Sequence, residues 1–390
     1  MCNQPAAAPA FVREPLPTDL LLEIFARCDV TTIIRCAMAS KFLRRSILDP
    51  AFLCRLELQA AADGGGGFDP ALLVGVSYQT YGPHLVRAHH IIHTPSSVQL
   101  HPRLLACSLR DSFEPVASRG RLLLLRRFCC FPEPANVELR VCDTTIGHRT
   151  SLPTPNVVVS HVHAFLRVGD AVAGGSYELF VMDKQFRFQT FSSKHGQRNV
   201  ARQASVTLPL YLGTSSHSPV VITRTIYRLC HMNTWGGCSN GILALDIDGA
   251  EANAMDLPPG FSSRMMTFKM EKQLLLASVH GRLSLLAVEN AGISMWTLTP
   301  ASLLQPVTTW SRQLVIGAEE IASLGSPLSY VLEVFGERSG AVIVQVEKGK
   351  LLRLDLGTKV VTRLHCPGDA SAMCLFLHET DLTSLLKKSF

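Results

Sequence analysis

Between Leu16 and Leu56 the chain places 24 residues of the set Ala, Val, Ile, Leu, Met, Phe, Trp, Tyr and Cys in 41 positions, about 59% against 47% for the whole sequence. A unit of roughly 40 residues cannot bury that much apolar surface inside itself. The excess must be covered by something else, so the stretch reads as a docking module.

Local signals divide it into short helices. Pro17 presets the chain ahead of a start, and Thr18 or Asp19 can cap orphan N–H groups. Leu20, Leu21, Ile24, Phe25 and Cys28 recur at the spacing of one helix face, predicting a helix from about Thr18 to Arg27. Thr31 and Thr32 can cap a second helix carrying Ile33, Ile34, Cys36, Ala37 and Met38, and Ser40 a third carrying Phe42, Leu43, Ile47 and Leu48. Asp49-Pro50 ends that run and opens a fourth, because proline suits a first helical turn and disfavours the helix before it.

At Leu16-Pro17, Asp19-Leu20-Leu21, Glu23-Ile24, Arg27, Arg35-Cys36, Lys41, Arg44 and Asp49-Pro50 with Phe52, the segment resembles the F-box. That family of helical modules binds the adaptor Skp1 of cullin-based ubiquitin ligases. The resemblance implies a Skp1-facing surface, for which Leu16, Pro17, Leu20, Ile24, Ile33, Cys36 and Leu43 are the candidates.

The 390 residues suit one small and one large domain. Ala60-Ala61-Ala62-Asp63 followed by Gly64 to Gly67 offers few side chains able to pack and reads as a flexible linker. The expected organisation is a disordered tail over 1–12, the helical module over 13–58, a Gly-rich linker over 59–69 and a β domain over 70–390. No stretch reaches the about 18 uninterrupted apolar residues of a membrane helix, and the first dozen residues lack the pattern of a secretory signal. The 12 cysteines are dispersed with no C-x-x-C pair, which predicts reduced thiols and a cytoplasmic or nuclear protein. A net charge of +6 without dense basic runs, at 7% aromatic residues, argues against nucleic-acid binding.

From Ala71 onward, apolar runs of four to eight residues alternate with Gly, Pro, Asn, Asp and Ser, the pattern of an all-β sandwich, barrel or propeller. A degenerate repeat favours the propeller. Ser118-Arg119-Gly120-Arg121 leads into Leu122 to Leu125, then Leu139 to Gly147 and Leu152-Pro153, which resembles the opening of F-box-associated domains of plant proteins. Gly281-Arg282-Leu283 repeats the opening, with Ile293 to Trp296 as the strand after it. Asp183, Asp246 and Asp355 echo Asp143 as ends of strands, at irregular spacings that fit blades of about 40 to 50 residues loosely. The predicted fold class is α+β and multidomain, a small helical F-box followed by a large all-β, propeller-like domain. The stretches 192–205, 213–218 and 231–240 are candidate rim loops.

Two constellations resemble chemistry. Gly237-Cys238-Ser239-Asn240-Gly241 matches G-x-S-x-G, but Ile242 to Asp246 after it reads as a strand, not the helix of a nucleophile elbow, so a glycine-rich turn is the better account. His89, His90 and His93, the pair His161 and His163, and the group Cys230, His231 and Cys238 lack the frame of a zinc site.

The chain therefore reads as a non-catalytic substrate receptor of a Skp1-cullin-F-box ubiquitin ligase. It would bind a Skp1-like adaptor, and through it a cullin, with one domain and a protein target with the other, needing no cofactor, metal, nucleic acid or membrane. The rival classes are a propeller-fold hydrolase or sugar-processing enzyme, which would need converging acid and base residues, and a Skp1-binding scaffold that delivers nothing to degradation.

Overall fold

The computed structural model describes residues 16–28, 30–53, 55–56, 68–81, 87–94, 113–127, 137–157, 162–168, 176–206, 210–211, 218–234, 237–261, 272–299, 309–322, 330–346, 350–365, 372–381 and 385. The expected tail and the glycine run 64–67 lie outside the described residues.

The helical periodicity near the start folds as α1 (Thr18–Phe25), α2 (Val30–Ala39) and α3 (Lys41–Ile47). Pro17 stands at the N-cap of α1 with no side-chain cap, and the helix ends at Phe25, two residues earlier than its periodicity predicts. Ser40 caps α3 as expected, its extended backbone letting Oγ accept from the Phe42 N–H at 3.2 Å. Asp49 accepts from the Ala51 N–H at 2.8 Å and opens a fourth helical segment over 50–53 and 55–56. The helices close over Phe25, Ile33, Ala37, Ile47, Phe52, Leu53 and Leu56.

Beyond residue 70 the described strands form six sheets arranged as a β-propeller, antiparallel except where the short Ser205–Val206 pairs parallel with Glu251–Asp256. Blade I holds Phe113–Arg119, Leu122–Arg127, Leu139–Asp143 and Arg149–Ser151. Blade II holds Val162–Val168, Tyr177–Met182 and Arg187–Ser192, and blade III Val220–Ile222, Thr225–Thr234, Gly237–Asp246 and Glu251–Asp256. Blade IV comprises Leu274–Val279, Arg282–Glu289, Gly292–Thr299 and Thr309–Gly317; blade V comprises Val331–Phe335, Ala341–Val346, Lys350–Asp355 and Val361–Leu364. Blade VI joins the two ends of the domain: its inner strand Ala372–Glu379 pairs with Leu73–Tyr81, which pairs with Arg87–His93. The first strands of blades I to V and Ala372–Glu379 each neighbour the next around the axis, so the ring is complete.

Each blade buries both faces, which is why its strands read as unbroken apolar runs rather than alternating ones. In Leu122 to Leu125, Leu122 and Leu124 pack toward Phe165 and Leu179 of blade II, while Leu123 and Leu125 pack toward Val74 and Phe376 of blade VI. The same arrangement recurs at every seam: Phe180 and Met182 against Leu243 and Leu245, Ile242 against Leu274 and Leu285, Leu275 and Leu286 against Leu332 and Val342, and Ile343 and Leu351 against Val76 and Leu377.

Turn chemistry explains the degenerate repeat. Gly120 and Gly281 stand at the turn between first and second strands with φ of 56° and 68°, a left-handed conformation that favours glycine. Asp143, Asp246 and Asp355 end third strands, and each accepts backbone N–H groups of the turn it starts, from Thr145, Gly249 and Gly357 respectively. Asp183 ends a second strand instead. Its turn therefore lies on the opposite rim, and the 40-residue step from Asp143 is not a blade repeat.

Two expectations about loops are corrected. Within 192–205, Gln197–Arg198 and Arg202–Gln203 pair with Arg187–Ser192 of blade II. Within 231–240, the residues 231–234 and 237–240 are the two arms of the long blade III hairpin. Of 213–218, only Ser218 is described.

The end of the expected flexible linker is held. Phe68 stacks on His280 with ring centroids 4.9 Å apart and meets the Phe335 ring edge-on, while the Asp69 N–H donates to the Arg338 carbonyl at 3.1 Å. Asp69 also accepts the Val30 N–H of α2, and Val30 with Ile34 packs into the seam between blades VI and I. The helical domain is seated on the propeller.

Candidate functional site

Nine large apolar side chains are exposed among the described residues, and five of them belong to the helical domain: Leu16 (56%), Leu20 (52%), Ile24 (49%), Met38 (63%) and Phe42 (54%). Leu20 and Ile24 stand four residues apart and so share one line along α1, and Leu16 is exposed just ahead of the Pro17 N-cap. The opposite side of α1 supplies Phe25 to the core, which fixes the rotation of the helix and leaves this line outward. Glu23 holds Arg27 at 3.1 Å and also pairs with Arg55 of the fourth helical segment, bracing the exposed line from its flank. Single exposed apolar residues are ordinary on a protein surface, whereas here five gather on one small domain.

The seven candidate residues divide by depth. Leu16, Pro17, Leu20 and Ile24 are exposed, Cys36 and Leu43 are half-buried against the helical core, and Ile33 is 2% exposed inside that core. Ile33 therefore holds the helices together. Met38 and Phe42, on either side of the α2–α3 junction, join the exposed set.

A cavity of about 80 Å³ lies on the propeller axis, lined by the innermost strands. Its charged groups are unevenly engaged. Arg119 donates to Glu337 at 3.0 Å and to the Phe165 and Leu166 carbonyls, and Glu379 accepts from the Ser339 N–H at 2.8 Å and its hydroxyl at 2.7 Å. Glu333 lines the same cavity, and burial pushes its carboxyl up to about 7 against the opposing effect of Lys272.

The other sequence candidates are not brought together into chemistry. Gly237 to Gly241 lies within a strand, Ser239 paired with Met232, and not in a turn as its glycines suggest. Neither a strand nor a turn makes a strand-to-helix elbow. His90 and His93 lie on the outermost strand of blade VI, where His90 stacks on Tyr78 with centroids 4.9 Å apart, whereas His163 is buried on the inner strand of blade II. The His89 side chain and residue His161 lie outside what is described, as do the side chains of His231 and Cys238. Burial pushes the Cys230 thiol up to about 12, leaving it an apolar filler rather than a nucleophile.

Residues 75–389, nearly the whole propeller, match DUF7595, a domain of unknown function. The chain belongs to the DUF7595 family. Ahead of its DUF7595 domain an F-box domain matches residues 15–55, spanning α1 to α3 and most of the fourth helical segment. No curated protein matches the chain. Among solved structures, the chain is similar to a DUF4784 family protein from Bacteroides caccae at 10% identity, covering 78% of this chain and 73% of that one, with a TM-score of 0.39. It is similar to the periplasmic gluconolactonase of Pseudomonas aeruginosa at 12% identity, covering 79% and 100%, with a TM-score of 0.34. A structure of a nidogen/laminin complex is similar at 10% identity over 77% and 97%, with a TM-score of 0.37. Likeness at this level assigns no activity to the DUF7595 propeller.

Proposed function

We propose that this protein is the substrate-recognition subunit of a Skp1-cullin-F-box ubiquitin ligase. The F-box domain docks a Skp1-like adaptor, and through it a cullin, while the DUF7595 propeller captures a protein target in the manner of plant F-box-associated domains. The observation that carries this reading is the outward pair Leu20 and Ile24 on α1 of the F-box domain, with Leu16, Met38 and Phe42 exposed on the same small domain. Covering such a side chain contributes roughly 1.5 to 3 kcal/mol before the costs of association, so a few suffice for stable docking. In this reading the chain performs no bond chemistry. It holds a target near a ubiquitin-charged enzyme and converts a bimolecular encounter into a local one. The work belongs to the cytoplasm or nucleus, where free thiols such as Cys28 and Cys36 stay reduced.

Affinity purification of the full chain with and without proteasome and cullin inhibition tests the reading. It predicts an adaptor recovered under all conditions and target proteins that accumulate on the bait only under inhibition. A bait that recovers no adaptor would contradict it.

A further inference from the structure

The inner strand of blade V carries a β-bulge. Leu332 pairs with Val344 and Val334 with Ile343, so Glu333 is the extra residue without a partner across the ladder. The inner strands of blades I and II are bulged as well, and there the extra residues are Val116 and Leu166. Both are apolar and pack between blades. The bulge itself therefore requires no charge, and what a bulge does is re-aim one side chain. In blade V that side chain is a carboxylate on the wall of the axial cavity.

We propose that the axial cavity receives a basic side chain, lysine or arginine, of the captured target, with the Glu333 carboxylate as its counter-charge. This rests on the receptor reading and names the chemistry of the target. The other acidic groups of the cavity are already engaged: Glu337 holds Arg119, and Glu379 takes the Ser339 N–H and hydroxyl and the Arg338 N–H. Among the described residues Glu333 accepts no hydrogen bond, and Lys272 is the charge that acts on it. A half-buried carboxylate that lacks hydrogen bonds is costly, and an incoming ammonium or guanidinium relieves that cost. Size decides against larger ligands. At about 10 to 15 Å³ for each water on the same measure, about 80 Å³ holds a handful of waters, the room of one extended side chain and not of a folded element.

The test uses the full chain at about pH 8, where the Glu333 carboxyl is ionised, titrated with the blocked amino-acid amides acetyl-lysine amide, acetyl-arginine amide and the neutral acetyl-norleucine amide. The lysine or arginine probe is expected to bind saturably and at least about tenfold more tightly than norleucine, and Glu333→Gln to abolish that preference. Equal affinity for the charged and neutral probes, no saturation by either cation, or a preference that survives Glu333→Gln would overturn the proposal. Should Glu333→Gln fail to fold, the wild-type comparison of lysine with norleucine decides alone. Capture of a Skp1-like adaptor by the same preparations keeps the two readings apart, because a wild-type chain that takes neither amide yet binds adaptor sinks only the cavity, and one that binds no adaptor sinks the receptor reading.

Discussion

The Val30 N–H, in the first turn of α2, donates to the Asp69 carboxylate at 3.2 Å across 39 residues of sequence. The other Asp69 oxygen accepts the Ala71 N–H at 2.8 Å at the start of the propeller. One carboxylate thus serves a helix N-terminus in the F-box domain and the first turn of the other domain, favourably placed at the positive end of α2. An adaptor bound to the F-box would then be oriented relative to the propeller, because the last two residues of the intervening segment do not act as a free tether.

Asp69→Ala is expected to destabilise α2 by about 0.5 to 2 kcal/mol, the cost of a lost cap. Hydrogen exchange should accelerate across the first turn of α2 while the inner strands of blades III and IV keep their protection. Unchanged exchange in α2 would show that the contact contributes nothing to seating the helix.

Gly340 adopts φ +67°, and a Cβ at this position would collide with the ring of Phe68. Gly340→Ala should therefore lower the melting temperature of the propeller and release Phe68 from its stack on His280. Limited proteolysis between the two domains is the readout, with faster cleavage at residues near 68 in the variant than in the parent.

His378 sits in the strand that closes the ring, fully buried, its Nε2 2.8 Å from the Ser77 hydroxyl. Burial, with a smaller contribution from His93, holds its pKa down to about 3 against an ordinary 6.5. As pH falls below about 6.5 the unfolded chain takes up a proton that the folded chain refuses, so stability from this group is present above 6.5 and lost toward 3. The melting temperature should fall between these limits, and fall less in His378→Gln. A profile identical in the two proteins would place the acid sensitivity elsewhere.

Ser239→Ala should leave adaptor and target capture intact, and a fluorophosphonate probe should not label the parent. Ser239 lies in a strand paired with Met232, where nothing turns into a helix to form an oxyanion hole. Labelling that disappears with the substitution would promote a hydrolase reading.

Much of this architecture was legible because local chemistry and packing agree. Ser40 and Asp49 each cap the helix that follows them, and Gly120 and Gly281 each open a blade's second strand. Leu122 to Leu125 reads as a strand packed on both faces, which a propeller blade requires. What escaped the sequence was long-range. Nothing near Val30 announces Asp69 as a partner for its N–H, and Ile33 is drawn into a core that Phe52 and Leu53 of the fourth helical segment help to close. Asp183 looks like Asp143, yet it follows a second strand, a difference visible only once strands are counted within blades. Glu333 was hidden for the opposite reason, as a single charge inside Val331–Phe335 whose meaning depends on a bulge.

In the proposed function the outward face of α1 docks a Skp1-like adaptor. This docking is tested most directly by measuring adaptor binding to the full chain carrying Leu20→Asp with Ile24→Asp. Both side chains are about half exposed, so two charges there leave the core around Phe25 and Ile33 intact while placing unpaired carboxylates in a desolvated interface. Adaptor binding should be lost while the melting temperature of the propeller is unchanged. Adaptor affinity equal to that of the parent, in a variant with the parent's helical circular dichroism, would contradict that docking.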